Sequence, residues 1–114
     1  MPKNYTILHN PRCGKSRAAL KLLEEKKLKV TIHEYLREGI TQKLIKDILA
    51  IADFELDELI RKKEAKELEL NLEQNKSELV KLISANPKIL QRPIVFTDQK
   101  AVIARDEEWF SRIK

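Results

Sequence analysis

The sequence predicts an α/β fold, in which a central mixed sheet is flanked by helices and carries a helical insertion in its middle. Three observations predict it. A β-type run, a helical run and a second β-type run follow one another near the N-terminus with short links, an order typical of a parallel βαβ unit. From about residue 41 to residue 90, apolar residues recur at helical spacing. Two further β-type runs and a short amphipathic helix follow.

The first third of the chain supplies the βαβ pattern. A strand is predicted over residues 5–9, and the Asn10-Pro11 pair after it is a turn signal. From Cys13 to about Lys27, apolar residues on one face and Lys and Glu on the other predict a helix. Residues 30–36 (VTIHEYL) are β-branched and roughly alternating, which predicts a second strand.

The middle of the chain is predicted to be mainly helical. Thr41 is a suitable N-cap for the apolar run that follows it, and Asp53 is expected to cap a shorter helix. Residues 67–72 (ELELNL) alternate as a strand does, but helix or irregular structure is favoured there. A further helix must end at Asn86-Pro87, because the residue before a proline avoids helical geometry.

The last third completes the predicted fold. Residues 93–97 and 101–104 are apolar β-type runs around a polar turn, the pattern of a hairpin. Trp109 and Ile113 mark a short amphipathic helix after it. The order β-α-β, helices, β-β, α is that of a thioredoxin-type α/β sandwich with helices inserted in its middle.

Composition narrows the class of protein. The 114 residues, 42% hydrophobic and 36% charged, fit a single domain over residues 1–114 with the insertion at about 41–90. No apolar run approaches the roughly 20 residues that span a bilayer, so no membrane association is expected. One cysteine cannot form an internal disulfide, and the start lacks the pattern of a signal peptide. A cytoplasmic, reducing location is therefore expected.

The net charge of +5 favours anionic partners without identifying them. Most basic residues alternate with acidic ones, which is typical of a solvated surface. Only 5% of the residues are aromatic, and no stacking stripe is found. These features argue against direct nucleic-acid binding and leave a small oxyanion or an acidic protein surface.

The candidate reactive group is Cys13, which is predicted to lie where the first strand passes into the first helix. The free N–H groups of a helix's first turn stabilise an anion, and basic neighbours lower a thiol pKa further. The basic neighbours expected to stabilise the thiolate are Arg12, Lys15 and Arg17, with His9 as a fourth candidate. The alternative is a buried structural cysteine, but Cys13 is flanked by polar residues rather than apolar ones.

Spacing excludes several kinds of chemistry. Cys13 and Ser16 form C-x-x-S, so a dithiol mechanism lacks its second sulfur, although the Ser16 hydroxyl is placed to hydrogen-bond the first. One cysteine and two distant histidines do not predict a metal site. A cysteine–histidine hydrolase remains an alternative that the expected positions of His9 and His33 disfavour. If Cys13 is oxidised during turnover, an external thiol such as glutathione or a glutaredoxin must resolve it.

Four segments together resemble the glutaredoxin-linked arsenate reductase (ArsC) family and its ArsC-like relatives. In family order and spacing, the matching segments are HNPRCGKSR at 9–17, LIRKK at 59–63, NPKILQRPIV at 86–95 and AVIAR at 101–105. They cover nearly the whole chain. The combination of H-N-P-x-C with a downstream R-P-I-V is specific, whereas any one segment alone would be weak.

The resemblance implies a thioredoxin-like fold and an oxidoreductase that reduces arsenate to arsenite. It implies that a cysteine thiolate attacks arsenic, that glutathione joins as co-substrate and that glutaredoxin is the reducing partner, with no bound cofactor. The residues that match the family's catalytic cysteine, histidine and serine are Cys13, His9 and Ser16, and those that match its three oxyanion-binding arginines are Arg61, Arg92 and Arg105. The resemblance also implies a cis bond at Arg92-Pro93.

One departure from the family pattern and one related family leave alternatives open. After Arg105 the family's reductases usually continue with Pro and a longer tail, whereas here Asp106 follows and is placed to pair with Arg105 and weaken its hold on an anion. A second class of protein is a regulator resembling the Spx family, which shares this fold and binds RNA polymerase. Spx-like proteins typically carry C-x-x-C, so Ser16 and the three matching arginines favour the enzyme.

Overall fold

A computed structural model describes residues 3–114, which form a four-stranded sheet with helices around it. The strands are β1 (Asn4–Leu8), β2 (Lys29–His33), β3 (Ile94–Phe96) and β4 (Ala101–Ile103). The helices are α1 (Gly14–Glu25), α2 (Tyr35–Glu38), α3 (Gln42–Ile51), α4 (Lys62–Glu67), α5 (Lys76–Ala85) and α6 (Trp109–Ile113). Two 3₁₀ turns, Leu56–Leu59 and Pro87–Ile89, lie between β2 and β3 with helices α3 to α5.

The sheet has the order β2-β1-β3-β4. Strand β1 pairs in parallel with β2 and antiparallel with β3, and β3 pairs antiparallel with β4. The predicted βαβ unit, the predicted hairpin and the helical insertion between β2 and β3 are therefore confirmed, and the sheet is mixed as expected. Strand β1 is one of the two central strands, so the loop that follows it lies at the end of the sheet, between neighbouring strands on both sides.

Two apolar cores lie on opposite faces of the sheet, because successive residues of a strand point to opposite faces. Ile7 of β1 packs with Leu23 of α1 and with residues of α6. Leu8, one position along, packs instead with residues of the insertion, including Ile45 of α3 and Ile83 of α5. The insertion thus covers the face that α1 and α6 leave free.

The helix boundaries of the insertion follow local capping chemistry. Thr41 caps α3 as predicted, because its side chain accepts a hydrogen bond from the backbone N–H of Leu44 at 3.1 Å. Asn75 caps α5 in the same way through the N–H of Glu78 at 2.8 Å. Helix α5 ends before Asn86-Pro87, as predicted. No helix among residues 3–114 is both long enough and apolar enough to cross a bilayer.

Two details of the predicted secondary structure are wrong. Strand β2 ends at His33, and Tyr35 begins a short helix whose start is closed by the Glu38 carboxylate, which accepts from the N–H of Glu34 at 2.9 Å. Asp53 caps no helix: Glu55 is the N-cap of the following 3₁₀ turn. The ambiguous segment 67–72 is irregular after the end of α4, in keeping with the favoured interpretation.

Arg112 of α6 forms hydrogen bonds with three other parts of the chain. Its guanidinium donates to Asp53 at 2.8 Å, to Asp106 at 2.9 Å and to the backbone carbonyl of Ile103 at 3.2 Å. The pKa of Asp106 is lowered, chiefly because its carboxylate accepts these hydrogen bonds from Arg112. Asp106 is therefore held by Arg112, and the expectation that it pairs with Arg105 is wrong.

We expect Asp106→Asn to lower the thermal unfolding midpoint at pH 7 and to have no effect in strong acid. A carboxylate whose pKa is depressed by folding stabilises the folded state above the ordinary carboxyl pKa of about 3.9. That contribution disappears as the pH falls through the lower pKa of the folded protein. Melting curves of wild type, Asp106→Asn and the exposed control Asp98→Asn from pH 7 to pH 2 measure it. A wild-type advantage that persists below both pKa values would contradict the assignment.

Candidate active site

Cys13 lies at the junction that the sequence predicted. It is the N-cap of α1 with an extended backbone (φ −95°, ψ 122°), and it is partly exposed. The turn before it is closed by the Asn10 side chain, which accepts from the N–H of Arg12 at 3.0 Å, and by the Asn10 carbonyl, which accepts from the N–H of Cys13 at 3.0 Å. Cys13 is therefore partly open to solvent, unlike a core cysteine.

The electrostatic surroundings of the sulfur favour the thiolate. Burial by itself raises the pKa of Cys13, but the backbone N–H groups of Ser16 and Lys15 and the guanidinium of Arg92 outweigh it, and the pKa is lowered. The sulfur does not form the hydrogen bond of a conventional N-cap within the described residues. The helix start therefore acts on the sulfur as a set of nearby dipoles, as expected for a helix N-terminus.

His9 and Ser16 form a buried pair behind the sulfur. His9 Nδ1 and Ser16 Oγ are 2.6 Å apart, and the same oxygen accepts from the N–H of Asn10 at 3.0 Å. The expected hydrogen bond from the Ser16 hydroxyl to the sulfur is therefore wrong, and Ser16 acts on Cys13 through its backbone N–H instead. Burial lowers the pKa of His9, so His9 is mainly neutral at pH 7 and adds no positive charge.

The three basic neighbours in sequence point into solvent. Arg12, Lys15 and Arg17 are all exposed, and none of their charged side chains is a leading cause of the lowered pKa of Cys13. Lys15 contributes through its backbone N–H, and Arg17 donates to the carbonyl of Pro11 at 3.1 Å. The expectation that their charges stabilise the thiolate is not supported, because water screens exposed charges.

Arg61 and Arg92 are brought together by backbone pairing that sequence patterns do not reveal. Ile60 and Leu90 form an isolated antiparallel bridge. On either side of it, the N–H of Arg61 donates to the carbonyl of Ile89 and the N–H of Gln91 donates to the carbonyl of Leu59, each at 2.6 Å. Segments 59–61 and 89–91 therefore lie side by side. Arg61 is the last residue of the first segment, and Arg92 directly follows the second.

Glu64 connects the two guanidinium groups. Its carboxylate forms an ion pair with Arg61 Nε and lies 3.9 Å from Arg92 Nη1. All three side chains are mostly buried, with 20–23% of their surface exposed. One carboxylate oxygen thus lies between two arginines beside a thiol, which marks a position where an anion is stabilised. Glu64 was not predicted from the sequence, although its place three residues after Arg61 in a helical stretch was a usable signal.

Arg105 lies two residues after the end of β4, and its guanidinium reaches the segment that carries Arg92. Its Nη1 donates to the backbone carbonyl of Arg92 at 2.8 Å. The Arg92-Pro93 bond is cis, as the resemblance implied, and the Pro93 carbonyl accepts from the N–H of Ala104 at 2.9 Å. The guanidinium of Arg105 is therefore attached to the main chain of the segment that carries Arg92, rather than to Asp106.

Tyr35 is the other residue that sequence analysis missed. Its side chain is completely buried, and burial raises the pKa of its phenol to about 12, against the opposing effects of Arg92 and Arg61. The charge of Cys13 raises the same pKa, so the phenol is close enough to Cys13, Arg92 and Arg61 to respond to their charges. A tyrosine inside an apparent strand carried no sequence signal for this position.

Among residues 3–114, no three His, Cys, Asp or Glu side chains are grouped as metal ligands would be.

Comparison with known proteins shows which family has this arrangement of residues. A model of the ArsC family matches residues 8–113, the span that contains every residue of the candidate active site. The chain belongs to the ArsC family. An arsenate reductase of Neisseria meningitidis is 38% identical over 106 residues, which cover 90% of this chain and 91% of that protein. The uncharacterized protein YfgD of Escherichia coli is 39% identical over 112 residues, covering 95% and 94% of the two chains.

A solved structure from the same family matches the whole molecule. The arsenate reductase from Vibrio cholerae superimposes with a TM-score of 0.90 at 28% identity and covers 100% of both chains. The thioredoxin-like ArsC fold with its helical insertion is therefore confirmed.

Proposed function

We propose that this protein is an oxidoreductase of the arsenate-reductase type, in which the Cys13 thiolate attacks the arsenic atom of arsenate. Membership of the ArsC family and relatives named arsenate reductases support the reaction class. The observation that carries the proposal is the position of the sulfur: it lies at a helix N-terminus beside Arg92, and both lower its pKa. A lowered pKa increases the fraction of thiolate at neutral pH, and the thiolate is the nucleophilic form of cysteine.

Arg61 and Arg92 are proposed to bind the oxyanion, with Arg105 as the third arginine. A thiolate that approaches a dianion meets like-charge repulsion, and planar guanidinium groups offset it through paired hydrogen bonds. The carboxylate of Glu64 between Arg61 and Arg92 supports this role, because it is an anionic oxygen in that position. Substrate oxygens would replace or share these contacts. Arg105, fixed to the carbonyl of Arg92, also keeps the segment before Pro93 in place.

The roles of His9 and Ser16 are proposed to be positional. The buried hydrogen bond between His9 Nδ1 and Ser16 Oγ holds the first turn of α1 against the end of β1. Because the pKa of His9 is lowered, the neutral imidazole does not compete with the arginines for the anion. The backbone N–H of Ser16 is thereby directed at the sulfur.

The second thiol is proposed to be glutathione. The balanced reaction is arsenate plus two thiols giving arsenite, a disulfide and water, so arsenic gains two electrons and each sulfur loses one. Cys13 is the chain's single cysteine, so the other thiol must come from outside. Attack by glutathione leaves a mixed disulfide on Cys13, and a glutaredoxin thiolate then attacks that disulfide and frees Cys13. A reducing compartment such as the cytoplasm suits this cycle.

The proposal is tested by following NADPH oxidation in a mixture of arsenate, glutathione, glutathione reductase and a glutaredoxin. We expect turnover that depends on both arsenate and glutaredoxin, because no second thiol in the chain can resolve Cys13. Omitting each component in turn assigns its role. Turnover that continues without glutaredoxin would remove that partner from the scheme, and absence of arsenate-dependent oxidation in the complete mixture would refute the function.

A further inference from the structure

Tyr35 carries a polar group that the fold leaves without a hydrogen bond. Tyr35 is the first residue of α2, and its ring belongs to the core cluster that includes Leu8 and Ile94, with none of its side chain exposed. Among residues 3–114, its hydroxyl has no hydrogen-bond partner. A buried hydroxyl without a partner costs free energy that a phenylalanine of the same shape would not. The hydroxyl is therefore expected to serve a purpose other than packing.

Arg92, whose guanidinium acts on the titration of Tyr35, carries a second buried donor of this kind. Nε of Arg92 is also buried and has no hydrogen-bond partner within the described part of the chain. The guanidinium is close enough to influence the titration of both Tyr35 and Cys13, although its geometry toward the phenol falls short of a hydrogen bond. Two donors without an acceptor therefore lie beside the thiol that is proposed to attack the substrate.

The phenol has the properties of a hydrogen-bond donor to an anion. Its pKa of about 12 keeps it protonated at neutral pH, so it donates and does not compete with the substrate for the arginines. It is neutral, and therefore adds no repulsion to the thiolate or to the incoming anion. Because burial excludes water from the hydroxyl, a hydrogen bond made there is stronger than one at the surface.

We propose that the Tyr35 hydroxyl donates a hydrogen bond to an oxygen of the oxyanion held by Arg92, with Arg92 Nε as the adjoining donor. The proposal rests on the proposed function and adds a neutral contact to the three arginines. An anion oxygen would satisfy both unpaired donors at once. Tyr35 would then be a catalytic residue that contributes to affinity for the tetrahedral oxyanion.

The test compares wild type, Tyr35→Phe and the matched control Tyr5→Phe, which removes a hydroxyl from the other core. Thermal unfolding is measured without anion and with increasing inorganic arsenate in the absence of glutathione, and the dependence yields a Kd for each protein. We expect Tyr35→Phe to unfold at the wild-type temperature or above it without arsenate, and to bind arsenate about fivefold to tenfold more weakly. Tyr5→Phe is expected to keep the wild-type Kd.

Each other outcome has a definite meaning. Equal arsenate affinity in wild type and Tyr35→Phe overturns the Tyr35 contact while leaving the proposed function intact. A marked loss of stability in Tyr35→Phe without arsenate also overturns it, because the hydroxyl would then have a partner within the fold. Failure of the wild-type protein to bind arsenate overturns both the proposed function and this contact.

Discussion

Replacement of Cys13 by Ser is expected to reduce arsenate turnover to the rate measured without enzyme. Serine preserves the size of the side chain and the start of α1, but a serine hydroxyl stays protonated at neutral pH and does not act as the thiolate does. The chain has no other cysteine to take over. The NADPH-coupled assay with glutathione and glutaredoxin measures the loss.

The same variant separates chemistry from binding. Arg61 and Arg92 are unchanged in Cys13→Ser, so arsenate is still expected to raise its thermal unfolding midpoint. In the wild-type protein, iodoacetamide should alkylate the single thiol with a midpoint below the ordinary cysteine pKa of about 8.5, and arsenate should slow that reaction. A Cys13→Ser protein that retained a tenth or more of wild-type turnover would exclude the sulfur as the nucleophile.

Replacement of Arg92 by Lys is expected to lower kcat/KM for arsenate about 10-fold to 100-fold. Lysine keeps the positive charge but loses the planar pair of donors, and one charge-assisted hydrogen bond is worth about 1.5–3 kcal/mol. Initial rates over a range of arsenate concentrations measure the effect. Arg37→Lys is the matched control, because the Arg37 side chain is 70% exposed and pairs with the carboxylates of Glu34 and Glu38; it should keep the wild-type kcat/KM.

Arg92→Met tests the electrostatic part of the same contact. Arg92 lowers the pKa of Cys13 both by hydrogen bonding and by its charge, so removal of the guanidinium should move the thiol titration, followed by ultraviolet absorbance, to higher pH. Arg12→Met, which removes an exposed arginine next to the cysteine in sequence, should leave the titration where it is. A shift with Arg12→Met and none with Arg92→Met would reverse the assignment of the two residues.

Most of the fold could be predicted from sequence because its elements are encoded locally. Apolar spacing specified α1, α3 and α5, and alternating β-branched residues specified the strands and the hairpin. The errors occurred where side-chain contacts decided the backbone. Tyr35 begins a short helix, whose start is closed by the Glu38 carboxylate, instead of continuing the predicted strand. Asp53 caps no helix and is bound by Arg112, which lies 59 residues away.

The candidate site also contains residues that local sequence predicts and residues that it does not. Cys13 could be singled out from its own neighbourhood, because a helix N-terminus acts on the residue that begins it. Arg61 and Arg92 were found only through the family resemblance, since nothing local distinguishes them from solvated arginines. Their distance along the chain is closed by the Ile60–Leu90 bridge. Glu64 and Tyr35 were not predicted, because the resemblance assigned no role to either. The spacing of Glu64 from Arg61 was a usable signal, whereas Tyr35 carried none.

The sequence by itself determined the order of strands and helices, the identity of the single thiol and its place at a helix start. Only the tertiary structure decided which charges act on that thiol. Arg12, Lys15 and Arg17 are nearest in sequence but end in water, where their fields are screened. Arg92 is distant in sequence but mostly buried beside the sulfur, where the lower dielectric preserves its effect.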